Sequence, residues 1–483
     1  MSCPPDQDDP NWDDVTTDMQ NARRFVFLHG ANVRYCEPLG GWLTWDGTRW
    51  RKDATGAVFL MAKAVVRYML VEAAQMPDDK WSGFVKSVRG CEAQSRLRAM
   101  LECASSEEEI LAHPEDFDTD PWLLNVNNGT VDLHSGELRE HRREDLITHL
   151  APVDFVPGAT DPVLDSYLAN ATAKDPAFAR YLQKAAGYTL TGLTDEETVF
   201  LVLGPGATGK STLVEALIAM LGDYGVKTSF DTFLIQRNVG GARPDLVSMR
   251  GARMVAAVEP EKGRKLASST LKEITGGDTI TARDLYKAPF SFKPTFKIWL
   301  AANDSPELPD DDTGLWRRLH RLPFESVILP EARDPEVKKH LTGATGGKAL
   351  LAWAVDGCLY WQTEKLRPPK IVREKTAELR RDFDPLAEFF ADRCILDPGV
   401  EIEAVALRRA YDDWAKEHGS ASLVDREWSH RLKGMGCRRE RRSRIGYRAT
   451  YWIGIGLLAN DPDREEDQDD GPDFFAGTEA LPF

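Results

Sequence analysis

ETVFLVLGPGATGKSTLVEALIAML, residues 197–221, is the stretch on which the fold turns. Its five apolar residues Val199–Leu203 predict a buried strand. They run into Gly204-Pro205-Gly206-Ala207-Thr208-Gly209-Lys210-Ser211-Thr212, and an amphipathic helix comes directly after. This order suits a nucleoside triphosphate. Glycines let consecutive backbone N–H groups turn inward around phosphate oxygens, and the helix N-terminus adds a favourable dipole. Lys210 is placed to neutralise the β- and γ-phosphates, and the Ser211 hydroxyl to ligate Mg²⁺.

Downstream, apolar strands alternate with amphipathic helices to about Phe324, the mark of an α/β layer structure. Hydrolysis at such a loop needs an acid on a neighbouring strand, a residue that senses the γ-phosphate, and often an arginine from a partner. Strand ARMVAAV (252–258) ends at Glu259-Pro260-Glu261. Val258 precedes Glu259, so the usual tandem acid pair is not intact, and the roles of orienting water and holding Mg²⁺ divide between Glu259 and Glu261, with Glu259 preferred. Strand TFKIWLAAN (295–303) ends in Asn303, where an amide can touch the γ-phosphate. Trp316-Arg317-Arg318 then precedes the strand-like LHRLPF, and the arginine pair is a candidate finger for a neighbouring subunit, with Arg318 preferred to Arg317 and an ordinary surface pair as the alternative.

Between acid and amide lies KEITGGDTITARDLYKAPFSFKP (272–294). A helix should stop at Gly276-Gly277. The residues after it are β-prone, with a tip carrying Arg283, Tyr286 and Lys287. Projected into the channel of a ring, a cation and an aromatic would grip single-stranded DNA without sequence preference. A plain hairpin in the sheet is the alternative.

The flanks read as separate regions. In GGWLTWDGTRW (40–50) the Asp46-Gly47 pair marks a hairpin whose tryptophans suit core packing better than base stacking. Residues 56–112 read as helices, with Ser106 and Glu109 as a capping-box start. Residues 121–140 return to β through Asn128-Gly129 and Ser135-Gly136, and two Asp-Pro starts open helices in DPVLDSYLANA and DPAFARYLQKAAGYTL. Past 384, three helices, a basic turn and a strand, YRATYWIGIGL, form a winged-helix pattern. The domain reading is an acidic, disordered stretch at 1–20, a mostly helical domain with small β units at 21–160, and the ATPase at 161–335, of which 161–192 are preceding helices. A helical lid at 336–384, a winged helix at 385–458 and an acidic, disordered tail at 459–483 complete it.

At 483 residues the chain has room for roughly two to four domains. Its 42% hydrophobic content and mean hydropathy of −0.40 fit a soluble globular protein with sizeable cores. No apolar run approaches the ~20 residues of a membrane span, and the start MSCPPDQDDPNWDD lacks a signal-peptide pattern. Seven scattered cysteines without a CxxC pair exclude a zinc ribbon and fit a reducing cytosol. The net charge of −16 misleads as an average. Residues 1–20 hold six aspartates and no basic residue, residues 461–483 carry a net −8, and residues 21–460 are left at −2. Within that near-neutral body, residues 431–448 carry a net +7, a local patch suited to nucleic acid that includes Arg431, Lys433, Arg438, Arg439, Arg441 and Arg442. A solvated loop is the alternative.

These residues together resemble a known family. GPGATGKST, the strand ending at Glu259, ITGGDTITARDLY, KPTFKIWLAAN and WRR are similar to the superfamily 3 helicase core of phage, plasmid and poxvirus primase-helicases. NARRFVFLHGANVRY…GGWLTWDGTRW, LLNVNNGTVDLHSGEL and the C-terminal block extend the resemblance to about residues 20–458. It implies an α/β P-loop AAA+ core, a hexameric ring, Mg-ATP hydrolysis at subunit interfaces and translocation on single-stranded DNA at forks. It also implies nucleotide and Mg²⁺ roles for Lys210 and Ser211, hydrolysis for Glu259, sensing for Asn303, the finger for Arg317 or Arg318, and DNA contact for Lys287. Two departures stand out. Many relatives begin with a primase domain, whereas a stretch of about twenty residues, acidic in balance, precedes the helical region here, so a primase label describes ancestry more than activity. The tail EEDQDDGPDFFAGTEALPF resembles the tip of bacterial single-stranded DNA-binding proteins, which implies docking of replication partners; a solubilising tail is the alternative. A replicative helicase of a phage or mobile element is the expectation, and a DNA-binding initiator whose ATPase controls assembly is the second reading.

Overall fold

The structure, a computed structural model, describes residues 16–235, 244–258, 265–283, 290–308, 312–383, 385–418, 423–444 and 447–458. The chain divides into two compact units at Leu379/Arg380. Among the described residues no helix is long and apolar enough to cross a membrane.

The first unit opens with α1 (Asp18–His29), capped where the Thr17 side chain accepts from the Gln20 N–H. A small antiparallel sheet comes next, β1 (Val33–Cys36), β2 (Gly41–Trp45) and β3 (Trp50–Lys52). The Asp46-Gly47 signal holds: Trp45 pairs with Trp50, and the Asp46 carboxylate accepts from the Thr48 and Arg49 N–H groups to close the turn. Trp50 is fully buried, so this tryptophan is core. Helices α2 (Ala57–Ala73), α3 (Asp78–Gly90) and α4 (Gln94–Ala104) pack with α1 around Phe25, Val65, Met69, Phe84 and Met100. No helix starts at Ser106, contrary to the capping-box reading. Residues after Ala104 turn instead toward the β unit, where the Tyr35 N–H donates to the Ile110 carbonyl and the Ala112 N–H to the Tyr35 carbonyl. Those two bonds outweigh the local preference for a helix.

A second antiparallel sheet, β4 (Leu123–Val126), β5 (Gly129–Asp132) and β6 (Glu137–Arg139), leads to α5 (Pro162–Ala171) and α6 (Pro176–Leu190). Both helices begin as their Asp-Pro starts require: Asp161 and Asp175 each accept two N–H bonds of the first turn. The central layer then runs β7 (Val199–Leu203), α7 (Lys210–Leu221), β8 (Gly225–Lys227), α8 (Pro244–Val247), β9 (Met254–Val258) and α9 (Ser268–Thr275). The hairpin β10 (Ile280–Ala282) and β11 (Phe290–Phe292), β12 (Lys297–Ala302), α10 (Thr313–Trp316) and β13 (Leu319–Pro323) complete it. The five-stranded sheet has the order β13-β7-β12-β9-β8, and every pairing is parallel. Its central strands are buried on both faces, as continuous apolar runs demand. Lys297 and Arg253 are the exceptions at its N-terminal edge. Lys297 Nζ donates to the Thr191 and Leu193 carbonyls, and Arg253 to the Leu190 and Leu123 carbonyls, so two buried cations cap the end of α6 and tie β4 to the sheet. Burial, with the neighbouring Arg253 charge, pushes the Lys297 ammonium well below its ordinary value.

Helices α11 (Glu336–Thr342), α12 (Ala344–Glu364) and α13 (Lys370–Asp382) close the unit, with Pro368-Pro369 breaking α12 from α13. One hydrophobic core takes in Leu124 and Val131 of the β4–β6 sheet, Phe200 and Trp299 of the central sheet, and Leu350 and Trp361 of α12. The boundaries expected near 160 and 335 thus do not mark separate cores.

The second unit holds α14 (Pro385–Arg393), a short β14 (Cys394–Ile395), β15 (Glu401–Glu403), α15 (Ala404–Glu417), α16 (Asp425–Gly434), β16 (Arg438–Arg444), β17 (Tyr447–Ile453) and β18 (Gly456–Leu457). Its core is aromatic: Phe389, Tyr411, Trp414, Trp428 and Trp452. The run expected as a basic turn is a strand, because Arg438–Arg444 pairs residue for residue with Tyr447–Ile453. The acidic stretch 1–15 and the tail 459–483 lie outside the described residues.

Candidate active site

The loop from Gly204 to Gly209 leaves the C-terminal end of β7 and enters α7 at Lys210. Gly204 has no room for a side chain, since a Cβ there would lie 1.8 Å from the Phe324 carbonyl oxygen. Gly209 takes φ +87, and Ala207 nearby φ +61. Lys210, 6% exposed, donates to the Gly204 carbonyl at 2.7 Å, the Pro205 carbonyl at 2.6 Å and the Thr208 hydroxyl at 3.3 Å. Its ammonium therefore sits inside the curve of the loop. Ser211 and Thr212 occupy the next two helical positions, half-buried. Among the described residues no side chain caps the α7 N-terminus, so its first N–H groups face the loop's concavity, a fit for a phosphate chain.

Two supports of the loop were not visible in the sequence. The Tyr167 hydroxyl on α5 donates to the Gly209 carbonyl at 2.8 Å, and burial pushes that phenol far above its ordinary value. After β13, the Ile328 N–H donates to the Ala207 carbonyl at 2.9 Å. Neither contact has a local sequence signal, since the partners lie far apart in the chain.

Ala302 pairs with Leu203 and Ala301 with Val258, so β7, β12 and β9 end at one level. Asn303, exposed, comes directly after at that edge. Glu259 and Glu261 lie outside the described residues, and Val258 before them is the last residue of β9. The β10–β11 hairpin pairs Ile280 with Phe292 and Ala282 with Phe290, with Arg283 exposed just beyond β10. Tyr286 and Lys287 lie outside the described residues.

The two arginines stand at the other end of the sheet, before β13. Both reach one oxygen of Glu197: Arg317 Nη2 at 2.8 Å and Arg318 Nη2 at 2.7 Å. The similarity ends there. The Arg318 side chain is 9% exposed and also donates to the Gly314 carbonyl at 2.8 Å, whereas that of Arg317 is 64% exposed. Five residues of β7 at ~3.3 Å each put roughly 17 Å between this edge and the Gly204–Gly209 loop.

In the second unit, Arg442 pairs with Glu401 at 2.6 Å and Glu440 at 3.1 Å, and Arg431 with Glu427 at 3.1 Å. Arg439 pairs across the ladder with Trp452 and Arg441 with Thr450, on the face opposite Arg442. Lys433, Arg438, Arg439 and Arg441 are exposed and, among the described residues, form no ion pair; they line a groove of about 820 Å³.

Residues 22–185 match a family described as D5 N terminal like, and residues 202–318 a family of unknown function (DUF5906). A "putative helicase" of Acanthamoeba polyphaga mimivirus is 29% identical over 63% of this chain and 34% of its own length. A "putative helicase" of Frog virus 3 (isolate Goorha) is 26% identical over 68% of this chain and 42% of its own. A "putative primase" of African swine fever virus is 26% identical over 62% of this chain and 34% of its own. The chain thus spans about a third to two fifths of these relatives. A solved structure of the NrS-1 C-terminal region superposes with a TM-score of 0.49 at 12% identity, over 91% of this chain and all of that one.

Proposed function

Because the chain belongs to the phage and poxvirus primase-helicase family, we propose that it is an ATP-driven DNA helicase that works as a ring of six copies. The observation that carries this reading is the placement of Lys210 inside a strand–loop–helix curve at one end of β7, with the exposed Arg317 at the other. An arginine roughly 17 Å from its own loop cannot serve that loop, so it suits the nucleotide of a neighbouring copy.

In this reading residues 204–212 cradle the triphosphate with backbone N–H groups, Lys210 turns from its loop carbonyls to the β- and γ-oxygens, and the Ser211 hydroxyl holds Mg²⁺ together with Glu259. Mg²⁺, if held there, would supply charge neutralisation for the phosphate oxygens. Glu259 orients the attacking water, Asn303 reads the γ-phosphate from the adjacent strand end, and the exposed Arg317 replaces Arg318 as the preferred finger. Arg283, Tyr286 and Lys287 would grip one DNA strand, and the groove of the second unit, read as a winged helix, would add phosphate contacts through Lys433, Arg438, Arg439 and Arg441. The acidic tail is the candidate dock for replication partners.

Strand displacement on a forked DNA, with mass measured with and without ATP, tests the whole. Nucleotide-dependent assembly with unwinding is expected. The basic groove also favours a second reading, a DNA-binding initiator, which would bind the fork and hydrolyse ATP without displacing a strand.

A further inference from the structure

Glu197 takes no part in the hydrolysis proposed for this chain, yet it is the residue that the two arginines share. Its Oε2 accepts from Arg317 and from Arg318, and the two arginines are held differently. Arg318 is buried and fixed a second time by the Gly314 carbonyl, so it anchors the carboxylate. Arg317 reaches out into solvent with Glu197 as its hydrogen-bond acceptor among the described residues, using one of the five N–H donors of a guanidinium and leaving the others for a second acceptor.

The turn that carries the carboxylate is also pinned. Glu197 adopts φ +47, a left-handed conformation rarely taken by a residue with a side chain, and its N–H is fixed to the Thr194 carbonyl at 3.0 Å. The preceding Glu196 accepts from the Trp361 indole N–H at 2.7 Å and from the Leu366 N–H at 3.2 Å, which pins the same turn to the end of α12. Two residues later β7 begins, and its other end is the phosphate loop.

We infer that Glu197 is a positioning residue for the arginine finger, holding the Arg317 guanidinium extended toward the phosphates bound by a neighbouring copy. The inference rests on the reading of Arg317 as that finger. A long arginine side chain left loose would have to be ordered at each turnover; a fixed carboxylate orders it beforehand while leaving donors for the phosphate. Glu197 touches no reactant and acts through Arg317.

The test uses the full chain and steady-state ATP hydrolysis in Glu197→Gln, Glu197→Asp, Arg317→Ala and the double variant Glu197→Gln/Arg317→Ala, with binding of a fluorescent ATP analogue measured in each. Glu197→Gln should lower kcat about tenfold with KM for ATP and analogue binding unchanged. Glu197→Asp, which keeps the charge, should recover part of that loss, and the double variant should be no slower than Arg317→Ala alone. Wild-type turnover in Glu197→Gln beside an impaired Arg317→Ala would overturn the inference and leave the finger standing. So would losses that multiply in the double variant, or analogue binding lost in Glu197→Gln, which would make Glu197 a support of its own loop. Wild-type turnover in Arg317→Ala would remove the finger reading itself, and this inference with it.

Discussion

Ala302 lies in parallel register with Leu203, so Asn303 and Gly204 leave two adjacent strands at the same height. A side chain on the first and a backbone curve on the second therefore share one edge of the sheet, the C-terminal edge where α/β folds place their ligands. Asn303→Ala should lower kcat for ATP hydrolysis about 10²-fold while leaving analogue binding near wild type. Loss of binding in step with turnover would make Asn303 a support of the loop and not a sensor.

Lys210 and Gly204 test the loop itself. Lys210→Ala removes the ammonium that occupies the loop's curve and should abolish hydrolysis while the fold survives, as circular dichroism can check. Gly204→Ala should be worse for structure. Its Cβ would strike the Phe324 carbonyl, so the loop and the end of β13 must separate, with a lowered Tm. A Gly204→Ala protein with wild-type Tm and turnover would contradict that close approach.

Arg317 and Arg318 should part company. Arg317→Ala removes an exposed side chain and should leave Tm within a degree or two while turnover falls about 10³-fold. Arg318→Ala strips a buried cation from the Glu197 carboxylate and the Gly314 carbonyl, and should cost about 2 kcal/mol in chemical denaturation. Equal stability losses in the two variants would refute the separation.

His320 on β13 shares a hydrogen bond with the Tyr181 hydroxyl of α6, and burial lowers its imidazole to about 4. The unfolded chain takes up a proton near pH 6.5 that the folded chain refuses until about 4. Stability from this group is thus present above pH 6.5 and falls as the pH drops toward 4. The difference in unfolding free energy between wild type and His320→Gln should shrink across that window, and a pH-independent difference would contradict the burial.

The basic groove sorts the arginines of residues 438–442. Arg439→Ala with Arg441→Ala should weaken DNA binding and reduce its logarithmic salt slope by about two, one per lost phosphate contact. Arg442→Ala should change little, because that guanidinium is already paired with Glu401 and Glu440. Equal effects from Arg442 and Arg441 would sink the distinction.

What the sequence disclosed was local in origin. The runs at 199–203 and 297–302 are apolar almost throughout because both faces are covered, and the Asp-Pro helix starts and the Asp46 turn carry their own capping chemistry. Ser106 misled because its consequence depended on Tyr35, some seventy residues earlier, which draws the chain into a bridge with Leu111. Glu197, Tyr167 and the Phe324 carbonyl were invisible for a similar reason. Each meets a partner far away in the chain, and no periodicity records such a meeting. The unequal burial of Arg317 and Arg318 was equally hidden, since adjacent residues of one type look alike until one of them is covered.

The paired cations Arg253 and Lys297 bear on how the protein can be cut. Their acceptors come from Leu123 as well as from the end of α6, so a fragment begun at residue 161 would lose a carbonyl that a sealed guanidinium needs. It would also uncover the apolar surface that Leu124 and Val131 cover. The smallest autonomous piece with a working sheet should therefore start ahead of Leu123, and shorter versions are expected to precipitate on expression.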